Sequence, residues 1–190
     1  MFEDLKEYAL INKVPIIKDE GFEFLSLEIE KHNPKNVLEI GTAIGYSAIR
    51  MASLGLNVTT IERDIDMYNK AIENVNKYNL NDKIELVFMD ALLYNPIKRY
   101  DLIFIDAAKA QNRKFFERFT PYLNDNGIVI IDNLNFHGLV NEDLNNIKSK
   151  NLRSLVRKIN EFKEWLKPNP DYITEFSDMG DGMSVSIKKC

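Results

Sequence analysis

The sequence has almost no cysteine: a single residue, Cys190, at the last of 190 positions. That excludes an internal disulfide framework and a cysteine zinc cluster, and it fits a reducing compartment. No apolar run approaches the roughly 20 residues needed to span a bilayer. The first ten residues, MFEDLKEYAL, are charged where a secretory signal would be apolar. A cytoplasmic protein with no membrane partner is expected. Excess positive charge is also missing, because the formal net charge is −4. This excludes the basic sheath of a protein that binds nucleic acid without sequence preference. One local exception is Lys148 to Lys158, KSKNLRSLVRK, which gathers cations suited to phosphates or, equally, to a solvated helix face. Repeats, low-complexity tracts and Gly/Ser linkers are absent, so nothing divides the chain. Its 45% hydrophobic content is that of one domain with its own core.

What the sequence does contain is an alternation of two kinds of segment. Runs rich in β-branched residues, Asn36–Ile40, Asn57–Ile61, Lys83–Met89, Tyr100–Ile105 and Gly127–Ile131, read as strands. Several are apolar nearly throughout, as parallel strands covered on both faces must be. Between them Tyr46–Leu54, Ile65–Tyr78 and Arg113–Leu123 carry helical spacing. Strict alternation predicts an α/β, Rossmann-like fold with a mostly parallel sheet and helices on both faces. Two helices precede the first strand, one through Leu5, Tyr8 and Ala9, and one over Phe22–His32. They make residues 1–33 a helical extension to a core of 34–190, suited to a lid or dimer surface. After the fifth strand come a loop, Asn133–Val140, and a helical region, Asn141–Leu166, stopped by Pro168 and Pro170. Asp171–Phe176 and Met183–Lys188, joined through Met179-Gly180-Asp181-Gly182, read as a final strand pair.

The segment VLEIGTAIGYS, Val37 to Ser47, is a strand followed by a glycine turn and a helix start. Gly41 and Gly45 let backbone approach a ligand. The spacing is not that of a dinucleotide fingerprint, since Ala43 occupies the second glycine position, and there is no P-loop lysine. Both absences disfavour NAD and nucleoside triphosphates. Glu39, Glu62 and Asp90 end three successive strands, on the edge where open α/β sheets bind ligands. Any one of them would pass as a cap or surface charge. In order, they suit an adenosine: Glu62 can accept both ribose hydroxyls, and Asp90-Ala91 can reach the adenine amino group. S-adenosylmethionine is the cofactor expected.

The fourth and fifth strands end in Asp106 and in Asp132-Asn133. Two carboxylates and an amide oxygen form a hard, all-oxygen set suited to Mg²⁺ or a similar divalent ion. An Asx turn at Asp132-Asn133 is the plainer reading of that pair, but it leaves Asp106 unexplained. Lys109, one turn beyond Asp106, is placed to act as base or electrostatic clamp, unless it is an exposed helix-start lysine. His137 sits just past the proposed metal site, but a loop histidine needs a partner before it counts as catalytic. Phe136 and Leu139 are expected to shape the substrate mouth.

The segments LEIGTAIGYSAIRMA, TIERD, MDA, FIDAAKAQ and IVIIDN together resemble the divalent-cation-dependent O-methyltransferases related to catechol and caffeoyl-CoA enzymes, over essentially the whole chain. The resemblance implies a class I methyltransferase domain whose seven strands end in an antiparallel pair. It implies Asp106, Asp132 and Asn133 as Mg²⁺ ligands, with Asp106 also near the cofactor. Ile17, Ser47, Glu62, Asp90 and Ala91 become contacts to S-adenosylmethionine, Lys109 the base, and a homodimer the expected assembly. Within that group VPII, IDAAKAQNRKFF, NLNFHGLV and GDGMSVSIKK resemble the bacterial tRNA 5-hydroxyuridine methyltransferases, which implies a tRNA substrate methylated at the wobble base. The alternatives are a catechol-type small-molecule methyltransferase and, from another class, a catalytically silent RNA-binding module.

Overall fold

The computed structural model describes residues 2–189, so Met1 and the lone Cys190 lie outside the described residues. Its strands are β1 (Asn36–Ile40), β2 (Asn57–Glu62), β3 (Ile84–Phe88), β4 (Tyr100–Ile105), β5 (Leu123–Ile131), β6 (Tyr172–Ser177) and β7 (Met183–Lys188). Its α-helices are α1 (Glu3–Asn12), α2 (Asp19–His32), α3 (Tyr46–Ser53), α4 (Ile65–Lys77), α5 (Asn112–Phe119) and α6 (Lys150–Leu166). The strands form one sheet in the order β3-β2-β1-β4-β5-β7-β6. The first five run parallel, and β7 lies antiparallel between β5 and β6.

Alternate residues along the central strands serve two separate cores, as the pleat requires. Val37, Leu102, Phe104 and Ile130 face one side, where α2, α3 and α4 bring Leu25, Ile49 and Val75. Leu38, Ile103, Ile105 and Val129 face the other, against Phe116 and Phe119 of α5 and Ile159 and Phe162 of α6. Burial on both faces explains why these strands lack a polar alternate position. Leu5 and Ala9 of α1 belong to the first core, so the N-terminal helices are packed onto the sheet. No helix among the described residues is long and apolar enough to cross a membrane.

Three boundaries differ from the pattern expected in the sequence. The helix expected over Arg113–Leu123 stops at Phe119, because Pro121 enters a 3₁₀ turn at Thr120–Tyr122. Leu123 then starts β5, four residues before the expected Gly127. The helix expected from Asn141 begins only at Lys150. Asp143 caps a short 3₁₀ turn with its Oδ1 accepting from Asn145 N at 2.9 Å, and Ser149 Oγ caps α6 by accepting from Leu152 N at 3.3 Å. Two local caps thus split what helical spacing alone joins.

Strand order reverses around β1, with β2 on one side and β4 on the other. In open α/β sheets the crevice at that reversal is where ligands bind. Gly41 after β1 and Asp106 after β4 occupy it. Gly41 has φ 98°, and a Cβ there would lie 2.2 Å from the backbone oxygen of Asp106. Only glycine permits that approach.

Candidate active site

A cavity of about 540 Å³ opens along the carboxyl edge of the sheet, within the size range of small-molecule sites. Its walls come from Gly41, Thr42 and Ala43 after β1, Glu62 and Arg63 after β2, and Met89, Asp90 and Ala91 after β3. Asp106 to Lys109, the loop residues Asn133, Phe136 and His137, and the segment Pro15–Lys18 close the other end. Of the residues expected at the cofactor, Ile17, Gly41, Ser47, Glu62, Asp90, Ala91 and Asp106 all line this space.

Two others do not reach it. Gly45 sits at the N-cap of α3 against Ala71, 3.5 Å from where its Cβ would be, and is not part of the wall. Glu39 is fully buried behind the wall. It accepts from Ser47 Oγ and from Thr60 Oγ1, each at 2.5 Å, and the Thr42 hydroxyl lies 2.6 Å from that of Thr60. Glu39 is therefore a scaffold for the glycine turn and not a direct ligand contact. Burial pushes its carboxyl up to about 8, the bonds from Ser47 and Thr60 opposing and the charges of Asp106 and Glu62 adding. The unfolded chain titrates near 4.5, so folding takes up a proton between these values. The stability it confers is complete below the lower value and is lost as pH rises through the upper one. Glu39→Gln should flatten the decline in stability between pH 5 and pH 8 in urea titrations. An unchanged slope would show that another group sets it.

Glu62 has two tasks. Its Oε2 accepts from Ala43 N at 2.8 Å, and its Oε1 accepts from Arg63 N and Asp64 N at 2.8 and 2.9 Å. The first bond holds Ala43 in a left-handed conformation, φ 46°, that a non-glycine residue adopts at a cost of about 1–2 kcal/mol. One lone-pair site remains, on Oε2, for a hydroxyl donor in the cavity. Asp90 Oδ1 accepts from Leu92 N at 2.9 Å and lies, through Oδ2, 3.7 Å from Arg63.

At the other end Lys109 Nζ donates to Asp106 Oδ1 at 2.6 Å. Asp132 is 2% exposed and lies behind Asn133, whose backbone N–H donates to its Oδ1 at 2.6 Å. Burial and then the Asp106 charge push the Asp132 carboxyl up to about 7, with Lys109 opposing and Asp181 adding. Asp106, Asp132 and Asp181 thus crowd one region, where Lys109 is bonded to the first of them. Among the described residues no three His, Cys, Asp or Glu side chains form a metal cluster by themselves; the expected set has two carboxylates and an amide. Its chemistry, buried negative charge in excess with only oxygen donors, fits a hard divalent cation.

Asp181 was missed in the sequence, where it reads as part of a turn. It is 6% exposed, lines the cavity and accepts from His137 N at 2.7 Å. The signal was available in its flanking glycines, Gly180 and Gly182. Thr42 and Thr60 were also missed, although two adjacent threonines in the apolar run NVTTIE mark a buried polar contact.

The sequence model of the O-methyltransferase family matches residues 2–189. The chain belongs to the O-methyltransferase family. This family member is 28% identical to a caffeoyl-CoA O-methyltransferase of Populus kitakamiensis, over 97% of the chain and 83% of that protein. Among solved structures, a Staphylococcus aureus protein named as a candidate caffeoyl-CoA O-methyltransferase superposes with a TM-score of 0.94 at 42% identity. The match covers 98% of this chain and 91% of that one. An O-methyltransferase from Bacillus cereus, crystallised with S-adenosylhomocysteine, gives 0.81 at 26% identity, over 98% and 90% of the two chains. The methyltransferase thus shares its whole architecture, seven strands and N-terminal helices included, with proteins of this family.

Proposed function

We propose that the chain transfers a methyl group from S-adenosylmethionine to an acidic hydroxyl, and that the acceptor is 5-hydroxyuridine at the wobble position of tRNA. The observation that carries the reaction is the division of one cavity into two chemistries. Glu62, Asp90 and Ala91 offer acceptors for an adenosine at one end, and Asp106, Lys109 and Asn133 gather charge at the other. The residues that would hold a divalent cation are Asp106, Asp132 and Asn133. Bound there, such an ion would make a coordinated hydroxyl more acidic. The protein itself orients donor and acceptor in line, and Lys109 balances the charge of Asp106.

The tRNA assignment draws on motif resemblance and on the position of α6. That helix packs against the Lys109–Gln111 turn beside the cavity; Lys150, Arg157 and Lys158 are exposed on it, and Lys148 is exposed just before it. Arg153 of the same cluster turns back to bond Ile147 O at 2.6 Å. A small catechol-like acceptor is the second reading, favoured by the likeness to the caffeoyl-CoA enzymes. Nucleoside analysis of tRNA from cells with and without the gene, alongside assays on a catechol panel, separates them. Loss of 5-methoxyuridine is the expected result. Unaltered 5-methoxyuridine with turnover of catechols would move the assignment to the second reading, and failure to bind labelled S-adenosylmethionine would sink both.

A further inference from the structure

We propose that Arg50 is a positioning residue that fastens the cavity wall Pro15–Lys18 over the amino-acid end of the cofactor. The inference rests on the S-adenosylmethionine reading of the cavity and assigns what holds one of its walls in place. That wall is the connection between α1 and α2, and it has no ladder of its own. Among the described residues no hydrogen bond ends on Pro15, Ile16 or Ile17. Backbone bonds occur only at its margins, from Val14 N to Ala9 O and from Phe22 N to Lys18 O, each at 2.9 Å. A segment without backbone pairing takes its position from the side chains that flank it.

Arg50 lies one turn beyond Tyr46 on α3, and its guanidinium reaches both helices beside the wall. Its central carbon sits 3.6 Å from the centre of the Phe22 ring on α2 and 5.1 Å from that of Tyr46. Nη1 donates to the Tyr46 hydroxyl at 2.9 Å and to Oδ1 of Asp19, the first residue of α2, at 3.4 Å. Lys6 of α1 donates to the other oxygen of Asp19 at 2.9 Å. One carboxylate thus ties the helices on either side of the wall, and Arg50 joins it to α3. A guanidinium suits this place because it stacks flat on a ring while its N–H groups bond outward in the plane. On the far side, a Cβ on Gly21 would lie 3.2 Å from Ile17 Cγ1, and a Cβ on Gly180 would lie 2.9 Å from Gly21 Cα. The first turn of α2 is therefore pressed between the wall and the turn that joins β6 to β7.

Place decides which part of the ligand this wall serves. Glu62, Asp90 and Ala91 offer their acceptors to the adenosine at one end of the cavity, and Pro15–Lys18 closes the other. With the adenosine seated, the amino-acid chain of the donor extends toward the wall. Arg50 does not itself line the cavity, so it acts through Tyr46, which does and is 2% exposed, and through Asp19 at the end of the wall. Loosening it should cost affinity only for ligands long enough to reach Pro15–Lys18.

The test is calorimetry with two ligands, S-adenosylhomocysteine and 5′-methylthioadenosine, which lacks the amino-acid chain. Arg50→Met should weaken the first about tenfold and leave the second within about twofold of wild type. Asp19→Asn, at a side chain 66% exposed, should shift the same ratio by about threefold, and it decides the matter if Arg50→Met does not fold. Asp101→Asn is the control for a merely structural loss. Asp101 Oδ2 accepts from Lys35 N and Asn36 N at 2.9 Å at the opposite end of the sheet, so this variant should lower Tm and leave both affinities unchanged. Equal losses for the two ligands in Arg50→Met, or wild-type affinity for both, would overturn the proposal and leave the cofactor reading standing. A wild-type chain that fails to bind S-adenosylhomocysteine would overturn both.

Discussion

Gly41→Ala is expected to lower stability by about 3 kcal/mol, from a left-handed backbone forced on alanine together with overpacking. In a domain of this size that is a fall in Tm of about 10 °C. The added Cβ would meet the backbone oxygen of Asp106 at 2.2 Å and its carbonyl carbon at 3.0 Å. Backbone cannot swing aside as a side chain does, so relief requires the ends of β1 and β4 to part. Asp106 is carried on that strand end, with Lys109 bonded to it. The loss should therefore appear twice, in thermal melts and in the affinity for S-adenosylhomocysteine. Wild-type values of both would mean that the two strand ends are freer to separate than their packing implies.

Asp132→Asn should have the opposite effect on stability and a larger one on activity. Asparagine keeps the shape but removes a buried charge that Asp106 repels, so the metal-free protein should melt no lower than the wild type. Turnover should fall at least about 100-fold, since the variant removes one of two anionic donors from the set proposed for a divalent ion. Asp106→Ala should also abolish turnover, with the fold kept. Chelation should do the same reversibly, with activity returning on adding Mg²⁺. Full turnover of the wild type in EDTA would end the case for a metal. A more stable and less active Asp132→Asn is the usual trade between a functional charge and the fold that carries it.

The sheet was legible because its central strands are buried on both faces, and continuous apolar runs separated by helical spacing have few other readings. Strand ends are legible for the same reason: Glu62, Asp90, Asp106 and Asp132 are the first polar residues after apolar runs. What lay hidden was anything set by contact between distant segments. Nothing local says that Glu39, paired across the sheet with Thr60, turns inward to Ser47 and Thr60 while Glu62, at the very end of the next strand, reaches the cavity. Side-chain direction at a strand end depends on the neighbouring strand, and that appears only in the folded sheet. Asp181 is the extreme case, since its meaning comes from a loop 44 residues earlier. The late start of α6 is a smaller example, in which the caps at Asp143 and Ser149 outweigh the periodicity.

The three amides that donate to Glu62, those of Ala43, Arg63 and Asp64, have a thermodynamic consequence. They lock the carboxylate before any ligand arrives, so a nucleoside need not immobilise that side chain and little rotamer entropy is lost on binding. They also tie the glycine turn to the end of β2, so opening one opens the other. Ligand occupancy and local unfolding of this βαβ unit then draw on a single equilibrium. Hydrogen exchange at Ala43, Arg63 and Asp64 should slow together on adding S-adenosylhomocysteine, making three backbone protons a direct readout of cofactor affinity.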